Sequence, residues 1–170
     1  VLGHTLTEIA LAKAGIIKPG VPVISSVQRD EAMKVIKNTC IRQNAALIRV
    51  GYDITCESRG FSEGMQLFHV KGRLGSYDIR IPLLGYYQID NLPAAVGALE
   101  VLIEKGYHVT PKSIVKGMST VSWPGRFQII ARSPTILIDG AHNQDSAVRL
   151  KEAIEKYFTK GKVTASGPAE

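Results

Sequence analysis

One order of local patterns constrains this chain more than any other feature. A short apolar run, Val21-Pro22-Val23-Ile24-Ser25, follows the turn Lys18-Pro19-Gly20 and reads as a buried strand. Residues 30–43 then have helical spacing, with Ala32, Val35, Ile36 and Cys40 on one face. Residues 46–50 form the next apolar run. Strand, turn, helix and strand in succession predict an α/β fold with a parallel sheet. Upstream, Thr5-Leu6-Thr7-Glu8 has the spacing of a capping box, so a helix is expected to begin near Thr5 and to end near Gly15.

The middle of the chain changes period. Residues 65–70 and 77–82 alternate apolar and polar around Gly72-Arg73-Leu74-Gly75, which predicts an antiparallel hairpin. A helix is expected over residues 93–105, with Pro93 in its first turn and Gly106 as its stop. Thr110-Pro111 opens another, with Thr110 as its cap. Ser122-Trp123-Pro124-Gly125 breaks the pattern and reads as a linker. Residues 127–131 and 135–138 read as strands and 145–158 as a helix, with Ala147, Leu150, Ile154 and Tyr157 on one face. Residues 164–170 are small and polar, and are expected to fray. The expected division is 1–122, the back part of one α/β domain, and 123–170, a linker and the first elements of a second.

Composition excludes more than it identifies. At 45% hydrophobic and 21% charged, the sequence is that of an ordinary globular protein. No apolar run approaches the roughly 20 residues of a membrane helix, so no membrane partner is expected. The start, Val1-Leu2-Gly3-His4, has neither initiator Met nor signal-peptide character, and the chain is expected to be a piece of something longer. The net charge of +6 is spread singly over residues such as Lys34, Lys37, Arg42 and Arg49. Without basic runs or interleaved aromatics, it predicts a mild pull on anionic ligands and no nucleic-acid partner. Cys40 and Cys56 form no CxxC, and a reduced cytoplasmic protein is the simplest reading.

Four stretches carry groups suited to chemistry. In Leu137-Ile138-Asp139-Gly140-Ala141-His142-Asn143, an acid leaves a buried strand just before a helix. Ligands of open α/β sheets sit at that place. Asp139 can accept both hydroxyls of a ribose, Gly140 lets a ligand approach the backbone, and His142 and Asn143 can donate to phosphate or ribose oxygens. Equally, the stretch can be a plain turn in which Asn143 or Asp145 caps the helix. A Ser146, His142, Asp139 triad is possible in composition, but there is no G-x-S-x-G elbow. On the first helix Lys13 shares a face with Leu6, Ile9 and Ala10; burial there would favour the neutral amine, which carbon dioxide converts to a metal-binding carbamate. The ordinary alternative is a snorkelling lysine near a helix C-terminus. Asn91 can cap the helix that follows it or show its amide to adenine. Arg126, after Trp123-Pro124-Gly125, can clamp phosphate, or belong to a surface linker with a packed Trp123.

Each stretch is weak alone; their order is specific. T-L-T-E-I-A-x-x-K-A-G-I-I-K-P-G, then L-L-G-x-Y-Q-I-D-N, then W-P-G-R, then D-G-A-H-N resembles the folylpolyglutamate synthase and dihydrofolate synthase family of the Mur ligase superfamily, from residue 1 to about residue 158. The resemblance implies an enzyme that uses ATP to convert a folate or dihydropteroate carboxylate to an acyl phosphate, which the amine of L-glutamate attacks. It implies that Lys13, as a carbamate, helps hold magnesium, that Asn91 contacts adenine with Gln88 in the same motif, and that Arg126 meets the phosphates. It further implies that Asp139 binds ribose and that His142 lies beside the nucleotide. The ATP site is expected in a cleft between the two domains, on a Mur-type central domain followed by the start of a Rossmann-like C-terminal domain, in a monomer.

Two departures matter. Tyr87 stands where many members have histidine, and no G-x-x-x-x-G-K-[ST] occurs anywhere in the 170 residues. Residues 1–170 alone are therefore expected to be inactive. The competing readings are another Mur-type amino-acid ligase and a non-catalytic nucleotide-binding remnant.

Overall fold

The computed structural model describes residues 3–85 and 87–158. The fraying expected of residues 164–170 lies outside the described residues. The chain forms two compact units: Val1–Pro82 with Gln88–Val121, and Leu83–Tyr87 with Ser122–Glu170.

The first unit opens with helix α1, Leu6–Ala14. The Thr5 hydroxyl accepts from the Glu8 N–H at 3.1 Å, and the Glu8 carboxylate accepts from the Thr5 and His4 amides at 3.2 and 2.7 Å. Those backbone donors, with His4 the largest influence, hold the Glu8 carboxyl below its usual range. The buried stripe of α1 is Ala10, Ala14 and, just beyond the helix, Ile17. Ala14 and Ile17 pack with Cys40 of α2 (Asp30–Arg42), flanked by Val35 and Ile36. Strand β1 (Val23–Ser25) pairs in parallel with β2 (Leu47–Arg49), Ile24 opposite Ile48.

A three-stranded antiparallel sheet follows, in the order β3 (Thr55–Ser62), β4 (Met65–Lys71), β5 (Ser76–Ile81). The expected hairpin is β4–β5, with Phe68 opposite Ile79. Strand β3 was not expected: almost every residue in it is exposed, so it carries no alternation, and a bulge interrupts it between Ser58 and Gly60. Gln66, Phe68 and Val70 of β4 and Tyr77, Ile79 and Ile81 of β5 face inward.

Helix α3 (Gln88–Glu104) begins five residues before the expected Pro93, so Pro93 lies inside it and is buried. It packs closely because Gly97 has no side chain: a Cβ there would stand 2.6 Å from Cδ1 of Ile54 and 3.4 Å from Ile24. Its Glu100, fully buried, accepts from the Arg73 amide at 2.8 Å, the Leu74 amide at 3.0 Å and the Tyr77 hydroxyl at 3.0 Å. The β4–β5 loop thus hangs on one carboxylate, and Arg73 adds a two-pronged ion pair to Glu104 at 3.1 and 2.6 Å. Burial and Glu100 push the Tyr77 phenol up to about 12. Helix α4 (Pro111–Ser119) has the expected Thr110 cap, completed by Ser113, and buries Ile114.

In the second unit β6 (Gln128–Arg132) and β7 (Thr135–Ile138) pair antiparallel and lead into α5, Gln144–Tyr157. Ala153 of α5 and Phe127 are buried. The Phe127 ring lies 5.7 Å from that of Tyr157 and 6.3 Å from that of Phe158. Trp123 is 61% exposed, so the alternative of a packed tryptophan at the linker is overturned. No described helix is long and apolar enough to cross a membrane.

Candidate active site

In the second unit the W-P-G-R and D-G-A-H-N stretches come together. Asp139, half-buried at the exit of β7, accepts from the Phe127 amide through Oδ2 and from the Ala141 amide through Oδ1, both at 2.8 Å. Phe127 reaches that carboxylate with φ of 44°, a left-handed conformation unfavourable for an aromatic residue. Burial of its ring and the bond to Asp139 hold it there. Each Asp139 oxygen keeps a second lone pair for another donor.

Arg126 is exposed, and its guanidinium lies over Gly140: a Cβ on Gly140 would stand 3.2 Å from Nη1 and 3.4 Å from Cζ. The bare backbone of Gly140 thus lies beneath the exposed guanidinium. His142 donates from Nδ1 to the Gly140 carbonyl at 2.9 Å, which turns Nε2 away from that bond. A neutral ring in that tautomer offers Nε2 as an acceptor, and only the protonated ring donates there.

Asn143 is a cap. Its Oδ1 accepts from the Ser146 amide at 2.9 Å, while the Ser146 hydroxyl accepts from the amides of His142 and Asn143 at 3.1 Å. The plain-cap alternative holds for this residue, and its side-chain oxygen is committed to the helix. The same bonds dismiss a Ser146–His142–Asp139 triad, since His142 Nδ1 meets a carbonyl and Asp139 meets backbone amides.

In the first unit Gln88 and Asn91 sit together in the first turn of α3. The Asn91 amide donates to Gln88 Oε1 at 3.3 Å; Gln88 is buried and Asn91 exposed. Asn91 does not cap α3, which starts before it. Lys13 departs from expectation: it is exposed. The buried stripe of α1 runs through residues 10, 14 and 17, one position round from the face read in the sequence. Burial does not therefore favour a neutral Lys13 amine. Among the described residues no group of three His, Cys, Asp or Glu could hold a metal ion. With Lys13 in solvent, these residues do not by themselves fit a magnesium site.

The sequence reading missed Glu100 and the aromatic cluster around Gly85. A single acid inside the apolar run V-G-A-L-E-V-L-I was the available signal for the first. Neither cysteine is poised for chemistry: both are free thiols, and burial, then Asp90 and Glu57, push Cys56 up to about 11.

The geometry defines an α/β chain with an acid at a strand exit, an arginine packed on the following glycine and a capped helix behind them. Its relatives narrow that class. The chain is 32% identical to the dihydrofolate synthase/folylpolyglutamate synthase of Bacillus subtilis, over 96% of its own length and 39% of the relative's. It is 32% identical to the folylpolyglutamate synthase of Lacticaseibacillus casei, over 93% and 37%. It superposes on a solved FPGS–AMPPCP–folate complex with a TM-score of 0.88 at 32% identity, over 94% of this chain and 40% of that one. A Mycobacterium tuberculosis folylpolyglutamate synthase complexed with ADP gives 0.83 at 28%, over 93% and 36%. No family model matches. The chain is thus a relative of the folylpolyglutamate and dihydrofolate synthases along nearly its whole length, and spans about two fifths of theirs.

Proposed function

We propose that this chain is part of an ATP-dependent ligase that joins L-glutamate to a folate or dihydropteroate carboxylate. The observation that carries this is the meeting of Arg126, Asp139 and His142 around Gly140 at the start of α5. The kinship with synthases solved with AMPPCP, ADP and folate supports it. We further infer that residues 1–122 are the back part of a Mur-type central ATP-binding domain, and 123–170 the start of the glutamate-ligase domain.

In this reading a carboxylate oxygen of the folate attacks the γ-phosphorus of ATP, the bond to the β-phosphate oxygen breaks, and ADP leaves. The glutamate amine then attacks the acyl carbon, loses a proton and expels phosphate. Charge builds on the transferring phosphoryl oxygens, which the Arg126 guanidinium is suited to meet. The free lone pairs of Asp139 accept from the ribose hydroxyls. Protonated His142 donates from Nε2 to a phosphate oxygen. Asn91 presents its amide to adenine, steadied by Gln88. Magnesium, with a Lys13 carbamate as one ligand, is part of this reading only as the motif resemblance implies it; given the exposed Lys13, no step is assigned to the ion.

The test is ATP-dependent addition of glutamate by the complete gene product, with dihydropteroate and a reduced folate monoglutamate as separate acceptors. ADP and phosphate release with either acceptor is expected, and ATP binding without turnover on both would overturn the ligase reading in favour of a nucleotide-binding remnant. Residues 1–170 alone, lacking a G-x-x-x-x-G-K-[ST] loop, are expected to show no turnover.

A further inference from the structure

The residues around Gly85 belong to the second unit and have no part in the reaction as written above. Gly85 is buried with φ of +109°, and a Cβ on it would stand 2.6 Å from Cε1 and Cζ of Tyr87 and 2.9 Å from its hydroxyl. The phenol end of Tyr87 therefore rests on backbone that only glycine leaves bare. The Tyr157 phenol, from α5, is hydrogen-bonded to the backbone of the same Gly85. The Tyr157 ring packs on Phe127, whose amide donates to Asp139. A continuous path of contacts thus runs from Tyr87 through Gly85, Tyr157 and Phe127 to the Asp139 carboxylate.

We propose that Tyr87 is a positioning residue for Asp139 and its neighbour Arg126, seated there by Gly85 and Tyr157. The proposal rests on the nucleotide reading of that pair. A phenol both donates and accepts, so it can give a hydrogen bond toward a carboxylate and take one from a guanidinium without adding charge. Tyr87 is half-buried. Burial first, then the Asp139 carboxylate, raise its pKa, with Arg126 opposing, so the phenol stays protonated at neutral pH. A ring that served only to fill space would work equally well without its oxygen.

That contrast defines the experiment. In the complete gene product, ADP binding is titrated for the parent, Tyr87→Phe, Tyr87→His and Tyr157→Phe, with a thermal melt of each. Tyr87→Phe is expected to weaken ADP about fivefold to tenfold, the size of one hydrogen bond, with its melting temperature within about 2 °C of the parent. Tyr87→His, which keeps a ring donor, recovers part of the loss, and Tyr157→Phe shifts binding in the same direction by less. Parent-like ADP affinity in Tyr87→Phe overturns this proposal alone. So does a fall in melting temperature large enough to account for the weaker binding. A parent that does not bind ADP overturns the nucleotide reading, and this proposal with it.

Discussion

Two carboxylates, one in each unit, fasten a loop through backbone amides. Glu100 sits fully buried on α3 and receives three donors, from Arg73, Leu74 and Tyr77. Asp139 sits half-buried at the end of β7 and receives two, from Phe127 and Ala141. The first is closed to solvent, so nothing further can reach it, and its value is structural. The second has the same wiring, one donor fewer, and an exposed arginine as its neighbour. A strand-end carboxylate of this kind can hold its own turn and still accept from a ligand. Burial and unused hydrogen-bonding capacity, rather than the residue type, separate an acid that is closed from one that can still accept.

The largest effect should fall on the closed site. Glu100→Ala leaves two loop amides and a buried phenol without their acceptor, and is expected to cost about 3–4 kcal/mol in urea unfolding. A loss under about 1 kcal/mol would mean that water already serves that loop. High pH strikes the same place. The Tyr77 phenol has its folded pKa raised to about 12 from an ordinary 10, so its contribution is complete below pH 10 and disappears as pH rises through 12. Melting temperatures measured from pH 9 upward should fall more steeply for the parent than for Tyr77→Phe, and parallel curves would contradict the assignment.

At the open site the balance should invert. Asp139→Asn keeps one acceptor oxygen, so a loss of about 1–2 kcal/mol of stability is expected, beside a drop in ADP affinity of about tenfold or more. Stability and binding that fall in equal measure would make Asp139 a second Glu100. The smallest effect is expected at the neighbouring amide. Asn143→Ala should cost about 1 kcal/mol, and Asn143→Ser most of that less, because the side chain caps α5. Nucleotide binding lost without any loss of stability would show that Asn143 acts on the ligand instead.

What the sequence disclosed was local. The Thr5 box and the Thr110 cap are patterns within one helical turn that depend on no distant partner; both form as read, and Ser113 extends the second into a box. The β4–β5 alternation was legible because one face of each strand is buried. Strand β3 was illegible because a strand exposed on both faces has no pattern to show. Lys13 was misplaced by one helical position, since Leu6, Ile9 and Ala10 satisfy the same spacing rule as Ala10, Ala14 and Ile17. Which stripe goes inward is decided by α2, which the periodicity of α1 does not contain. At the candidate site, the Asp139–Gly140–Ala141–His142 turn was readable as a feature. The packing of Arg126 on Gly140 was not, because it joins residues fourteen positions apart through space alone.

The Gly72 contact carries a consequence for how such a sequence can drift. A Cβ at position 72 would overlap Oε1 of Glu100, so while the acid keeps its place any side chain there must displace it. The order in which the two sites, 28 positions apart, change therefore matters. Shortening or removing the helix acid first frees the loop position, whereas a side chain gained first must push the carboxylate off its three donors. Positions 72 and 100 are expected to change as a pair, with the helix leading.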